Sequence, residues 1–227
     1  MEYEIILFDA DETLFDFKRS EKDAIKNTMI EFNIDYNENY HLKIYQEINT
    51  AIWKEFENGL ITQKKLKVDR FKRLSDKLDI KFDENKFAKS YIKHLANASF
   101  LYEDSMELVK SLYNNHKLII ITNGLKDVQD NRIRNSVIAK YFRCIVVSEE
   151  VGISKPDSKI FEHALRNINY TNKSKILMVG DSLTSDIQGG INFGIDTCWY
   201  NPNNIQNKSE LNPTYEISNL MNLIDII

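Results

Sequence analysis

The chain has 227 residues, of which 42% are hydrophobic and 28% charged, with a formal net charge of −4. That length allows a sizeable core, built as one large domain or as one domain carrying an insert. The acidic balance argues against non-specific binding to nucleic acid or to an anionic membrane surface.

Residues 5–8 (IILF) read as a short strand buried on both faces, the kind found inside a parallel sheet. The strand delivers Asp9 and Asp11 to its C-terminal edge, where open α/β folds place their ligands. Two carboxylates that close repel each other, so the site needs a metal ion, a proton, or both. Alone, such a pair is no more than an acidic turn.

From about residue 17 to 98 the spacing is helical, with no convincing buried strand. Ile25, Met29 and Phe32 share a face, as do Tyr45, Ile48, Ile52 and Phe56. Val68 with Phe71, and Phe87 with Tyr91, follow expected caps at Thr62 and Asp83. The basic stretch KKLKVDRFKR reads as a solvated face around Val68, Phe71, Leu74 and Leu78. After Asp104, helices alternate with apolar runs at 118–121, 145–147, 176–179 and 197–200, the signature of a parallel sheet with crossover helices. The expected architecture is α/β, a doubly wound Rossmann-like parallel sheet formed by residues 1–14 and 99–227. An α-helical cap of residues 15–98 is inserted into it. Because the insert is spliced in beside the two aspartates, it is expected to act as a lid.

Each later strand ends in polar groups. Thr122, Asn123 and Gly124 close one; Gly180 and Asp181 close another, with Asp186 shortly after. Between them lies Lys155, just before Pro156, with Asp157 placed to cap a helix carrying Ile160, Phe161, Ala164 and Leu165. In this order the segments resemble the four motifs of the haloacid dehalogenase (HAD) superfamily, most of whose members are Mg-dependent phosphatases. The insert resembles that superfamily's small helical (C1-type) cap.

The resemblance implies that Asp9 is a nucleophile that forms an aspartyl-phosphate. It gives Mg²⁺ as the cofactor, held by the Asp9 carboxylate, the Asp11 backbone carbonyl and the Asp181 carboxylate, with Asp186 in support or bound through water. Asp11 is the expected general acid and then base. Lys155, the Thr122 hydroxyl and the amides of Asn123 and Gly124 are expected at the phosphate oxygens. Thr13 is expected to orient Asp11 or to cap the departing loop. Dehalogenating members resemble a DxY pattern, so the Asp at the third position here speaks against dehalogenation.

A narrower resemblance rests on FENGLITQKKLKVDRF, TNGLKDVQDNRI, VSEEVGISKP, GDSLTSDIQGGINFGIDTCWYNP and PTYEI. These look like the YjjG-type branch of bacterial 5'-nucleotidases. That implies hydrolysis of nucleoside 5'-monophosphates with a pyrimidine leaning; a phosphatase of another small ester such as a sugar phosphate, or a phosphomutase, is the alternative. The partner is then a small phosphate ester, with no nucleic acid and no membrane, and the oligomeric state stays open between monomer and dimer. Phe15, Phe17 and Trp53 either stack on a base or belong to the core. Arg70 either contacts base or ribose or faces solvent. His41, His94, His116 and His163 are scattered and expected as surface or helix residues. Cys144 and Cys198 show no zinc spacing and are expected as small buried thiols. With no leader-like start and no apolar run of spanning length, a cytoplasmic location is expected.

Overall fold

The computed structural model describes residues 3–227, apart from the side chain of Glu57. Along the chain, β1 (Ile5–Phe8) is followed by α1 (Phe17–Glu31), α2 (Lys43–Glu57), α3 (Gln63–Leu78) and α4 (Glu84–Asn97). Strands and helices then alternate: α5 (Ser105–Tyr113), β2 (Lys117–Thr122), α6 (Lys126–Arg132), β3 (Phe142–Val147) and α7 (Ser148–Val151). The chain continues through α8 (Ser158–Arg166), β4 (Ile176–Gly180), α9 (Gln188–Phe193), β5 (Asp196–Tyr200) and β6 (Tyr215–Ile217).

The strands form one sheet in the order β3-β2-β1-β4-β5-β6, every pairing parallel. Strand periodicity divides its side chains between two cores. Ile6, Phe8, Leu118, Ile120, Leu177 and Val179 pack with Leu108, Val109 and Leu112 of α5. Ile5, Leu7, Ile119, Ile121, Ile176 and Met178 pack on the opposite face with Ile160, Phe161, Ala164 and Leu165 of α8. Helices on both faces explain why the central strands read as unbroken apolar runs. β6 was not expected: it is a three-residue edge strand, too short to show a period.

The chain divides into two compact units, residues 1–17 with 99–227, and Lys18–Ala98. The first break falls three residues later than expected because the chain after β1 stays tied to the first unit. Phe15 bridges to Asp11 and to Leu101, and the Asp16 amide donates to the Phe100 carbonyl at 3.0 Å.

In the second unit, Thr62 and Asp83 cap α3 and α4, their side chains accepting from the amides of Lys65 and Lys86. Tyr45, Phe71, Phe87 and Tyr91 form a buried aromatic cluster. Arg70 does not face solvent. It is buried over the rings of Phe71 and Tyr91, and its Nη1 donates to Asn49 Oδ1 at 3.1 Å. Asn49 in turn donates to Glu21 at 2.8 Å. Trp53 is half-buried and meets Phe56 edge-on. His41 is one of the expected helix residues, in the short helical segment Glu38–Leu42, and is buried with its ring against the backbone of Asn37. Both cysteines are free, and burial pushes the thiols up, Cys144 to about 11 and Cys198 to about 12. Among the described residues no helix is long and apolar enough to cross a membrane.

Candidate active site

The register of the three central strands sets the site. Phe8 lies level with Ile120 of β2 and Val179 of β4, so Asp9, Thr122 and Asp181 all emerge at one sheet edge. The chain visits one side of β1 first and then the other, which makes this edge the switch point where such sheets bind ligands.

Lys155 gathers the charges there. Its buried ammonium lies 2.5 Å from Asp9 Oδ1, 2.7 Å from Asp186 Oδ1 and 2.6 Å from the Ile121 carbonyl, which occupies all three donors. Its backbone is clamped by Asn123, whose side chain donates to the Lys155 carbonyl at 2.9 Å and accepts from its amide at 2.8 Å. Asp186 accepts a further bond from the Ser182 amide at 3.0 Å. Gly180 lets this carboxylate lie against the end of β4, since a Cβ there would collide with it.

Asp181 follows β4, its amide donating to Thr13 Oγ1 at 3.2 Å. The Thr13 hydroxyl reaches back to Asp181 Oδ1 at 3.5 Å. Thr13 thus steadies Asp181, not Asp11. The carboxylates of Asp9, Asp181 and Asp186 place one oxygen each within 4.8 Å of one another.

Burial pushes Asp9 up to about 6; Lys155 opposes the rise and Asp186 adds to it. Asp181 is pushed up to about 8 by burial, then by Asp9 and Asp186. Burial alone would lower Lys155, but Asp186 and Asp9 outweigh it and hold its pKa above the ordinary lysine value. Three carboxylates therefore face one ammonium. Hard oxygen donors with surplus negative charge fit a divalent cation such as Mg²⁺.

Asp11 stands apart from that group. Its Oδ2 accepts from Gln129 Nε2 at 2.9 Å, and its Oδ1 pairs with the guanidinium of Arg132. Arg132 is fully buried, its guanidinium 5.3 Å from each of the Phe15 and Phe17 ring centres. These two rings thus flank a cation of the protein itself, where a nucleotide base was one expectation. Burial lowers Arg132 to about 10, which still leaves it charged at neutral pH. Thr122 Oγ1 accepts from the Gly124 amide at 3.2 Å and from Gln129 at 3.4 Å, so its own proton is what remains to donate. The Gly124 amide and the Asn123 side chain are thus spent within the protein, on Thr122 and on Lys155.

Gln129 and Arg132 escaped the sequence reading because VQDNR looks like the polar face of a short helix. Their spacing of three along α6, one face of a helix, was the available signal.

The profile of the haloacid dehalogenase-like hydrolase family matches residues 6–200. The chain belongs to that family. Within it, the chain is 33% identical to the pyrimidine 5'-nucleotidase YjjG of Escherichia coli over 100% of this chain and 99% of that protein. It is 35% identical to the pyrimidine 5'-nucleotidase PynA of Streptococcus pneumoniae, over 100% and 96% of the two. A crystal structure of YfnB from Bacillus subtilis, bound to magnesium, superposes with a TM-score of 0.93 at 33% identity, covering 100% of this chain and 99% of that one. This haloacid dehalogenase-like hydrolase thus shares its fold with YfnB and aligns with nearly the whole of YjjG and PynA.

Proposed function

We propose that this hydrolase releases phosphate from nucleoside 5'-monophosphates, with a leaning toward pyrimidines, through an aspartyl-phosphate on Asp9. The observation that carries the reading is Asp9 itself, held by Lys155 beside Asp181 and Asp186, with a second carboxyl two residues on. The names of YjjG and PynA, similar over the whole chain, support the substrate class.

In the first step an Asp9 oxygen bonds to phosphorus while the bond to the ester oxygen breaks, and the Asp11 carboxyl gives its proton to that leaving oxygen. In the second step the Asp11 carboxylate takes a proton from water as the water oxygen bonds to phosphorus. The bond to Asp9 then breaks, which frees the carboxylate and inorganic phosphate. Lys155 and the Thr122 hydroxyl neutralise and orient the phosphate oxygens. Asp9, Asp181 and the Asp11 main-chain carbonyl, with Asp186 in support, would hold Mg²⁺, which would supply the positive charge that lets an anionic carboxylate approach a phosphate dianion.

The test is phosphate release from UMP, dTMP, AMP, glucose 6-phosphate and an aryl phosphate, with Mg²⁺ or with EDTA. Mg²⁺-dependent turnover of UMP and dTMP well above the sugar ester is expected. Preference for the sugar ester would replace the nucleotide with another small phosphate, and no turnover of any ester would overturn the reading.

A further inference from the structure

A charged guanidinium buried without solvent is costly unless its donors are satisfied. Arg132 is paired in charge with Asp11, yet none of its three guanidinium nitrogens, nor Asp11 Oδ1, has a hydrogen-bond partner. Its neighbours on the flat faces are the rings of Phe15 and Phe17, which favour a cation but accept no hydrogen bond from its edge. The folded core therefore keeps an expensive group at this place, aimed at one carboxylate. One helical turn earlier, Gln129 is equally buried and donates to the other oxygen of the same carboxylate. Gly124 makes that possible, since a Cβ there would collide with the Gln129 amide. Gln129 also reaches Thr122 Oγ1, so one face of α6 links the second aspartate to the hydroxyl at the end of β2.

We propose that Arg132 and Gln129 are positioning residues that dock the Asp11 carboxyl from two sides and fix the direction in which it delivers and collects protons. The proposal rests on the reading of Asp11 as acid and base. Neither residue belongs to the carboxylate group around Lys155, and neither is assigned contact with substrate. A proton donor turned by a fraction of its hydrogen-bond length from the leaving oxygen loses rate without losing affinity. Displacements of that kind cost on the order of 100-fold.

A double-mutant cycle tests this. Arg132→Met keeps the stem between the two rings and removes the charge. With UMP and saturating Mg²⁺ it should lower kcat by about 10–100-fold and leave KM within about threefold. Arg132→Lys, which restores the charge on a single nitrogen, should recover part of that loss. In an Asp11→Asn background, the single-turnover burst of nitrophenolate from p-nitrophenyl phosphate, whose leaving group needs no proton, should be unchanged by Arg132→Met. Equal losses in both backgrounds would make Arg132 a structural residue and overturn the proposal, as would a wild-type kcat in Arg132→Met. Should Arg132→Met fail to fold by circular dichroism, Gln129→Met carries the same cycle with the same two readings. Failure of the underlying reading looks different: wild-type enzyme inert toward every ester, or Asp11→Asn as active on UMP as wild type.

Discussion

Lys155 and Asp9, 146 positions apart in sequence, meet at 2.5 Å, the ammonium also holding Asp186 at 2.7 Å. One cation thus restrains two of the three carboxylates at the sheet edge. A pair of unit charges at ~4 Å in an effective dielectric of ~20 is worth roughly 4 kcal/mol, about a thousandfold in rate if lost from a transition state. Lys155→Met should therefore lower kcat on UMP by about three orders of magnitude. It should also lower the melting temperature more in EDTA than in Mg²⁺, because the cation can replace part of the missing charge. Equal melting losses in both conditions would contradict this account of the charge balance.

The shifted carboxylates give a pH dependence whose sign is unusual for acidic groups. Asp9 and Asp181 hold their protons up to about 6 and about 8, whereas in the unfolded chain they would release them near the ordinary value of 3.8. The metal-free folded state therefore binds more protons than the unfolded state between those values. From these two groups stability is greatest below about pH 4 and falls as pH rises through about 6 and then about 8. A bound divalent cation removes that penalty. The rise in melting temperature produced by saturating Mg²⁺ over EDTA should then be small near pH 5 and large near pH 8. A shift that stays constant or shrinks as pH rises would count against the triad as the cation site.

Thr13 offers a milder probe, because it touches Asp181 through two hydrogen bonds and is buried. Removing a hydrogen bond that orients a metal ligand typically costs 10–100-fold in metal affinity. Thr13→Val should shift the Mg²⁺ activation curve by about that factor and leave kcat at saturating Mg²⁺ within a few-fold. A changed kcat with an unchanged Mg²⁺ requirement would instead tie Thr13 to the proton-transfer residues.

Much of the fold was legible because the central strands are buried on both faces and sit between turn residues. Residues 5–8, 118–121 and 176–179 stood out as apolar runs, and the polar groups that follow them emerge at one sheet edge. The caps at Thr62, Asp83 and Asp157 were legible for a local reason, since each side chain satisfies an amide two or three residues ahead. What escaped depends on contacts between distant segments. A buried Arg132 looks in sequence like any arginine on a helix surface, and only the approach of Asp11 from the loop after β1 gives it a partner. Likewise Phe15 and Phe17 could have met a base or the core, and their occupant is an arginine 117 and 115 positions away (132 − 15 and 132 − 17). Arg70 is a similar case within the helical unit: an amphipathic period marked its helix but not the pairing with Asn49 that takes it out of water.

The most direct test of the account is Asp9→Asn, measured for phosphate release from UMP with saturating Mg²⁺ and for acid-stable protein-bound label from [³²P]UMP. Wild-type enzyme should turn over and carry hydroxylamine-sensitive label on the peptide containing Asp9. The variant should do neither, while keeping the far-ultraviolet circular dichroism and a melting temperature no lower than that of wild type in EDTA, since one buried carboxylate has been removed. Phosphate release by Asp9→Asn at the wild-type rate would show that another group attacks phosphorus and would contradict the central claim.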